Sequence, residues 1–173
     1  MGKVNKIVIM GGPGSGKTTL SDKLSDILDI PVYHLDGFNF SANWQENDKK
    51  ERDAKILEVV KTDKWIIDGT YTKTLQTRIE NADLVIFLDF NTINLLKGVF
   101  KRLITSGGKE KKEIPGCKER FNFEFLLFVI NYNKNKREKL YEIINNIDKN
   151  KVVILNNRDS VDKYVSLIKM EGI

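Results

Sequence analysis

Five short apolar runs recur along the chain, and each is followed directly by glycine or by a polar residue. The runs are Ile7–Met10, Val32–Leu35, Trp65–Ile67, Leu84–Leu88 and Val152–Leu155. Such near-continuous runs are typical of strands that are buried on both faces. Between them, apolar residues recur at helical spacing, as in Leu20, Leu24, Ile27 and Leu28. This alternation predicts an α/β fold in three layers, with helices on both faces of a parallel sheet.

The residues that follow the predicted strands are the candidates for a functional site. In parallel sheets that are covered on both faces, ligands bind at the carboxyl ends of the strands. By this rule the candidates are the loop that starts at Gly11, the carboxylates of Asp36, Asp68 and Asp89, and the turn Asn156–Arg158. The turn adds Arg158 to the residues that we expect to bind a nucleotide.

The loop after the first strand carries the most specific motif of the sequence. Residues Gly11, Gly12, Pro13, Gly14, Ser15, Gly16, Lys17 and Thr18 match the pattern G-x-x-x-x-G-K-[ST], and Thr19 follows. Glycines allow successive amides to point inward as an anion nest, and the next helix adds its amino-terminal dipole. Lys17 is expected to contact the β- and γ-phosphates of ATP, and the Thr18 hydroxyl to bind Mg²⁺. The motif therefore predicts an Mg-ATP site.

Carboxylates at the strand ends are the expected partners of that site. Mg²⁺ requires oxygen ligands, and both Asp68 and Asp89 end strands where such a ligand belongs. Asp68 is favoured because Gly69 follows it and permits close approach of a ligand. Asp89 stands before a predicted helix, where a capping role competes with metal binding. Asp36 is expected to orient or accept the proton of a substrate hydroxyl, with a simple turn aspartate as the alternative.

The composition indicates one soluble domain. The 173 residues are 40% hydrophobic and 31% charged, and no apolar run is long enough to span a bilayer. The N-terminus lacks the features of a signal peptide, so a cytoplasmic location is expected. A single cysteine, Cys117, and a single histidine, His34, exclude a disulfide framework and a multi-cysteine zinc site. Cys117 is expected to be inert, and His34 to be a buried strand residue.

Positive charge is concentrated in the C-terminal half. Residues 92–158 carry 15 Lys and Arg against 7 Asp and Glu, whereas residues 1–91 carry 12 against 14. Residues 105–120 are rich in glycine and charge and are predicted to form a small lid on the single domain 1–173. Lid cations stabilise charge during phosphoryl transfer, so Arg102 and Arg120 are candidate catalytic residues. The aromatic stripe of the following helix, Phe121, Phe125, Phe128 and Tyr132, is expected to lie in the core.

Several segments together resemble a known family. HLDGFNFSANWQEND, KWIIDGTY, ADLVIFLDF and EIPGCKERFNFEFLLFVINY are similar to segments of the bacterial DNA topology modulation (FlaR-related) proteins, within the adenylate-kinase-like P-loop kinases. The resemblance implies a five-stranded parallel sheet in the order 2-3-1-4-5, ATP on the loop Gly11–Thr19 and a lid that bears arginine. Asp68-Gly69 is similar to the start of the adenylate kinase D-G-F-P-R motif. Asp36 takes a place comparable to the acceptor-site carboxylate of several small-molecule kinases.

One departure from that pattern concerns the acceptor. Thr70-Tyr71-Thr72 follows Asp68-Gly69, without the proline and arginine that grip a nucleoside monophosphate. Adenylate kinase activity is therefore not expected, and Arg78 is a candidate to bind an anion on that side instead.

Two functions follow as hypotheses. The leading one is a kinase that transfers the γ-phosphate of ATP to a small-molecule acceptor. A GTPase is not expected, because Asn156-Asn157-Arg158-Asp159 lacks the lysine of the base-reading N-K-x-D motif. The alternative is an ATP-binding regulator that contacts DNA through its basic C-terminal half. Such a regulator would bind duplex DNA with an affinity that falls steeply as salt is added.

Overall fold

The computed structural model describes residues 4–118 and 121–173. The strands and α-helices within these ranges are β1 (Lys6–Gly11), α1 (Lys17–Leu28), β2 (Val32–His34), α2 (Leu35–Asn39), β3 (Phe40–Ser41), β4 (Gln45–Glu46), α3 (Lys49–Val60), β5 (Trp65–Asp68), α4 (Thr72–Glu80), β6 (Leu84–Leu88), α5 (Thr92–Ser106), β7 (Glu110–Lys111), β8 (Ile114–Lys118), α6 (Phe123–Tyr132), α7 (Glu138–Asn145), β9 (Val152–Leu155) and α8 (Arg158–Glu171). Short 3-10 turns occur at Ala42–Trp44 and Lys149–Lys151, and a π-helical segment, Asn133–Arg137, joins α6 to α7.

The five apolar runs form one parallel sheet, with the strand order β2-β5-β1-β6-β9. Counting only the strands of this sheet along the chain, the order is 2-3-1-4-5, so the predicted topology is confirmed. The strand residues Ile7–Met10, Trp65–Ile67 and Val85–Ile86 have no exposed surface. Burial of this extent explains why the strands read as continuous apolar runs rather than as alternating ones.

Helices cover the sheet on both faces. Helix α1 packs against β1, β2, β5 and α8, whereas α3 packs on α4 and α5 packs on α6. The connection from β1 to β2 runs along the sheet in the direction opposite to the three connections that follow it. Right-handed crossovers therefore place α1 on one face and the helices of the later connections on the other. No helix of the described residues is long and apolar enough to cross a membrane.

The aromatic stripe packs in the core only in part. Tyr132 is buried, and Phe125 is partly buried against the core. Phe121 and Phe128 are exposed, and Phe121 lies before the first residue of α6. The expectation that the whole stripe lies in the core is therefore wrong. Helix α6 contacts the molecule mainly through α5, and one such neighbour covers only one side of a helix.

The segment from 105 to 118 is a hairpin rather than an irregular loop. Helix α5 continues to Ser106, and the antiparallel strands β7 and β8 follow it. Strand β8 packs against β3 and the turn Ala42–Trp44. We name β7 and β8 the basic hairpin and residues 40–46 the β3–β4 hairpin; both lie on the side of the sheet where β2 ends.

Candidate functional site

The loop between β1 and α1 has the backbone of an anion nest. Gly14 and Gly16 have φ angles of 77° and 91°, a conformation that L side chains rarely adopt. Gly16 caps α1 without a side chain, and the amide of Leu20 is bonded to the Gly16 carbonyl at 2.9 Å. The amides between these two residues have no partner earlier in the helix. Together with the helix dipole they can bind phosphate oxygens.

Ser15 supplies a test of whether the loop suits a phosphate. Its side chain is almost fully buried, and its Oγ atom forms no hydrogen bond with any described residue. A buried hydroxyl without a partner is unfavourable, because it loses water and gains nothing in return. A phosphate oxygen in the nest would give this hydroxyl a partner. The loop therefore fits the group that the motif predicts.

Lys17 points back over the loop. Its Nζ atom donates to the Gly12 carbonyl at 3.0 Å. Burial lowers the pKa of Lys17, the charges of Asp36 and Asp68 oppose that effect, and those of Arg102 and Lys111 add to it. The ammonium is thus poorly solvated and lies among charges of both signs. A group of phosphate oxygens would complete its surroundings.

Asp68 ends β5 beside the loop and is 4% exposed. Its Oδ2 atom accepts hydrogen bonds from the Ser21 hydroxyl at 2.8 Å and from His34 Nδ1 at 2.9 Å. The Ser21 Oγ atom also lies 2.9 Å from the Thr18 carbonyl oxygen, so its single proton is shared between the two acceptors, and the carboxylate is linked to the first turn of α1. Asp68 is therefore linked through Ser21 to the backbone of Thr18, the residue whose hydroxyl is expected to bind Mg²⁺. Among residues 4–118 and 121–173, no cluster of three His, Cys, Asp or Glu side chains offers a self-sufficient metal site.

His34 also belongs to the site, although the sequence predicted only a buried strand residue. It is the last residue of β2, as expected, but its ring bridges two carboxylates, with Nδ1 on Asp68 and Nε2 3.1 Å from Asp22 Oδ1. Carboxylates only accept hydrogen bonds, so a ring that donates through both nitrogens fits this position. Burial by itself would lower the pKa of His34. The hydrogen bond and charge of Asp68 and the charge of Asp22 outweigh it, and the pKa is raised.

Asp89 is committed to other partners. Its two carboxylate oxygens accept from Arg137 at 2.7 Å each, and Tyr141 donates to Oδ2 at 2.7 Å. The helix cap at this point is Asn91, whose side chain accepts from the Asn94 amide. The capping role considered for Asp89 is therefore wrong. Asp89 is the centre of an ion pair, and Asp68 is the carboxylate that is directed to the loop.

The Asp89 cluster makes a prediction about stability and pH. Burial raises the pKa of Asp89, but bonds from Arg137 and Tyr141 and the Arg137 charge lower it below the ordinary 3.8. The stabilisation is therefore complete above about pH 4 and is lost as pH falls through the lowered pKa. Arg137→Met is expected to reduce the free energy of unfolding by about 2 kcal/mol at pH 7, since Arg137 is half-exposed and Asp89 buried. Urea denaturation from pH 7 to pH 3 measures whether this difference shrinks in acid.

Lys136→Met is the matched control, because Lys136 is an exposed neighbour in the same π-helical segment. It is expected to change stability by less than about 0.5 kcal/mol. An Arg137→Met deficit that persisted unchanged at pH 3 would contradict the proposed origin of the effect.

Asp36 lies near Lys17 at the carboxyl end of β2. It stands in the first turn of α2, and its Oδ1 atom accepts a hydrogen bond from the Tyr71 hydroxyl at 3.0 Å. Burial raises the pKa of Tyr71, as do the charge and hydrogen bond of Asp36, so the phenol remains a donor. Arg52 lies over the Tyr71 ring at 4.9 Å and fixes it from the other side. The Asp36 carboxylate is thus oriented, exposed and close enough to Lys17 to affect its pKa.

Arg78 has a structural position. It has no exposed surface, and its nitrogens donate to the Gly69 carbonyl at 2.9 Å, the Tyr71 carbonyl at 2.8 Å and the Thr74 hydroxyl at 3.3 Å. Burial lowers its pKa to about 10. The suggestion that Arg78 binds an anion is therefore wrong. Its guanidinium instead shapes the turn that follows Asp68.

Arg158 and α5 brace the loop Gly11–Thr18 between β1 and α1, which we name the phosphate loop. Arg158 donates to the Gly14 carbonyl at 2.7 Å and lies over the Phe90 ring at 5.4 Å. Burial lowers the pKa of Arg158. Gly98 of α5 lies so close to the loop that a Cβ atom there would overlap the Gly14 carbonyl oxygen. The loop is therefore held in place by two elements that are distant in sequence.

The remaining cations of the basic C-terminal half lie in different parts of the structure. Arg102 lies on α5 with its guanidinium 5.9 Å from the Phe125 ring, and its charge reaches Lys17. Lys111 of the basic hairpin also acts on Lys17. Arg120 lies outside the described residues. Lys134, Lys136 and Lys139 are exposed around the π-helical segment, so the positive charge is divided between the site and the surface.

The basic hairpin rests on the β3–β4 hairpin and on α2. The Cys117 thiol donates to the Ser41 carbonyl at 3.2 Å and accepts from the Trp44 amide at 3.1 Å. The Trp44 indole donates to the Lys118 carbonyl at 3.2 Å. A Cβ atom on Gly37 would come within 2.6 Å of the Glu113 carbonyl oxygen. The two hairpins therefore meet in direct contact beside Asp36.

Two solved structures share this fold over nearly the whole chain. The shikimate kinase of Bacteroides thetaiotaomicron is 16% identical, with a TM-score of 0.58, and the match covers 98% of this chain and 99% of that one. The shikimate kinase of Acinetobacter baumannii, in complex with shikimate, is 15% identical, with a TM-score of 0.57 over 96% and 92% of the two chains. Neither the family models nor the curated proteins compared with the sequence give a match. The likeness establishes the fold, a five-stranded parallel sheet between helices that this chain shares with these two kinases.

Proposed function

We propose that this protein is an ATP-dependent kinase that transfers the γ-phosphoryl group of ATP to a hydroxyl of a small-molecule acceptor. The observation that carries the proposal is the position of Asp36. This carboxylate is oriented by Tyr71, and its negative charge raises the pKa of Lys17 against the effect of burial. A group suited to an acceptor hydroxyl thus lies next to the cation suited to the transferred phosphoryl group. The fold shared with shikimate kinases supports the same chemistry, and membership in the DNA topology modulation family is part of the proposal.

The loop residues hold the donor in this proposal. The amides of Gly14 and of residues 16–19 and the Ser15 hydroxyl bind the phosphates, while Lys17 neutralises the β- and γ-oxygens. Thr18 and Asp68 would hold Mg²⁺, which when bound neutralises charge on the phosphates. Arg158 keeps the loop in shape through the Gly14 carbonyl.

Asp36 acts on the acceptor. Its free oxygen accepts the hydrogen bond of the acceptor hydroxyl and directs that oxygen to the γ-phosphorus. A bond forms between them as the bond to the oxygen that ADP keeps is broken, and the hydroxyl proton leaves towards Asp36. Arg102, and in the proposal Arg120, supply positive charge for the transferred group, and the basic hairpin closes the site as a lid.

The proposal is tested with a mixture of metabolites. Protein and Mg-ATP are incubated with nucleosides, nucleotides, sugars, cofactor precursors and shikimate, and mass spectrometry detects products heavier by one phosphoryl group. Shikimate is included because the two structural neighbours carry its name. We expect one acceptor class to be phosphorylated. If no product forms with the whole panel, the kinase proposal fails.

The role of Asp36 predicts a separation of catalysis from donor binding. Asp36→Asn keeps the size of the side chain but cannot accept a proton, so the rate of acceptor phosphorylation is expected to fall about 100-fold or more. The affinity for ATP is expected not to fall, because Asp36 forms no hydrogen bond with the loop and the loss of its negative charge does not weaken phosphate binding. Steady-state kinetics with the identified acceptor and calorimetric titration with ATP measure the two effects.

Asp63→Asn is the control for this variant, since Asp63 is exposed at the opposite end of β5. A rate for Asp36→Asn equal to that of the control would remove Asp36 from the mechanism without affecting the assignment of the phosphate loop.

A further inference from the structure

His34 connects the acceptor side of the site with the carboxylate that is proposed to hold magnesium. It is paired with Asp68 across the neighbouring strands β2 and β5, and it stands two residues before Asp36. Its side chain is only 14% exposed between helix α1 and the sheet, where Nδ1 is hydrogen-bonded to Asp68 and Nε2 to Asp22. Two fixed hydrogen bonds leave the ring little freedom to turn.

The hydrogen bonds to Asp68 are all on one side of its carboxylate. Oδ2 accepts from both His34 and Ser21, and no described residue donates to Oδ1. Oδ1 is not one of the atoms that are both fully buried and without a hydrogen bond, so it keeps some surface open to solvent. A carboxylate held by one oxygen presents the other in a fixed direction. This is how groups behind a metal ligand orient it and raise its affinity.

We propose that His34 is a positioning residue that, with Ser21, holds Asp68 so that Oδ1 is presented to the magnesium ion of the bound nucleotide. The inference rests on the proposed function. Asp22 takes part by fixing the far side of the ring, since its Oδ1 atom is bonded to Nε2. His34 itself touches neither the nucleotide phosphates nor the acceptor in this role.

Three substitutions separate this role from simple packing. His34→Ala removes both hydrogen bonds. His34→Asn places an amide N–H close to where Nδ1 lies and so keeps the bond to Asp68. His34→Gln extends its amide to the region of Nε2 and so keeps the bond to Asp22 alone. Tyr33→Phe, on the same strand, is the matched control, because the Tyr33 hydroxyl forms no hydrogen bond with a described residue.

The test measures metal binding rather than turnover. Mn²⁺ serves as the probe, and electron paramagnetic resonance gives its affinity for the protein in the presence of saturating ADP. We expect His34→Ala and His34→Gln to bind Mn²⁺ about 10- to 100-fold more weakly than wild type. His34→Asn and Tyr33→Phe are expected to stay within about threefold. ADP affinity in EDTA is expected to be the same for all variants.

The outcomes distinguish this inference from the proposed function. If wild-type protein does not bind Mn²⁺ in an ADP-dependent manner, the proposed metal site and the role of His34 are both wrong. If wild type does so and His34→Ala binds Mn²⁺ equally well, only the role of His34 is wrong. A His34→Ala protein that bound ADP more weakly in EDTA and melted at a lower temperature, but kept its Mn²⁺ affinity, would also overturn the role of His34. That result would show that His34 serves packing.

Discussion

Replacing Lys17 by alanine is expected to lower the rate of phosphoryl transfer at least about 100-fold. Lys17 is the cation that lies over the phosphate loop, where burial and neighbouring charges lower its pKa. A poorly solvated cation contributes little to folding but stabilises strongly the charge that develops on transferred oxygens. ADP release with the acceptor identified in the metabolite mixture measures the rate.

The same substitution is expected to leave the protein folded. Because burial disfavours the charged form of Lys17, its removal is expected to leave the melting temperature unchanged or to raise it. Lys64→Ala is the matched control, since Lys64 is exposed before β5 at the far edge of the sheet. A Lys17→Ala protein that transferred phosphate within threefold of this control would rule out the loop as the catalytic site.

Gly98→Ala is the second substitution with a large expected effect. In an ordinary helix, glycine to alanine stabilises by about 1 kcal/mol. Here the added methyl group would overlap the Gly14 carbonyl oxygen, which belongs to backbone and cannot turn away as a side chain can. We expect the free energy of unfolding to fall by about 1–3 kcal/mol. The affinity for ADP is expected to fall more than tenfold, because Gly14 must move.

Urea denaturation and ADP titration measure the two effects of Gly98→Ala. Ile104→Ala on the same helix is the control, because Ile104 is 85% exposed and little buried area is lost. If Gly98→Ala instead stabilised the protein, as helix propensity alone predicts, α5 and the phosphate loop would be able to move apart at little cost in free energy. The close contact would then have no role in shaping the loop.

The sheet could be predicted because its cause is local. Each strand is buried on both faces, so its apolar residues are contiguous, and the residue after it marks the edge where ligands bind. The phosphate loop could be predicted for the same reason, since its glycines, Lys17 and Thr18 lie in one short segment of the sequence. For these features a short window of sequence contains the whole physical reason.

The roles of the polar residues could not be predicted in the same way. Asp68 and Asp89 look alike in sequence, and what distinguishes them is a pair of residues about fifty positions away, Arg137 and Tyr141. Arg78 reads as a candidate anion ligand until its nitrogens are seen on backbone carbonyls. His34 looks like one more strand residue, yet its two partners come from α1 and β5. Contacts between residues that are far apart in the sequence produce no periodic pattern within a short stretch of it.

The basic hairpin shows a further limit of local pattern. Its strands contain lysine, glutamate, proline and glycine, which have low strand propensity, so composition alone predicts a loop. The contacts that fix it as a hairpin come from the other hairpin, through Cys117 and Trp44. Cys117, expected to be inert, is part of that contact.

The chain contains two tryptophans, and they have opposite surroundings. Trp65 has no exposed surface in β5, whereas Trp44 lies where the two hairpins meet, with its indole N–H on the Lys118 carbonyl and Lys111 above its ring. Indole emission is sensitive to solvent and to nearby groups. The fluorescence of the unmodified protein is therefore expected to have a constant part from Trp65 and a part from Trp44 that would change if the two hairpins separated. Trp44 is thus an intrinsic reporter of any such movement beside Asp36, and no label is needed.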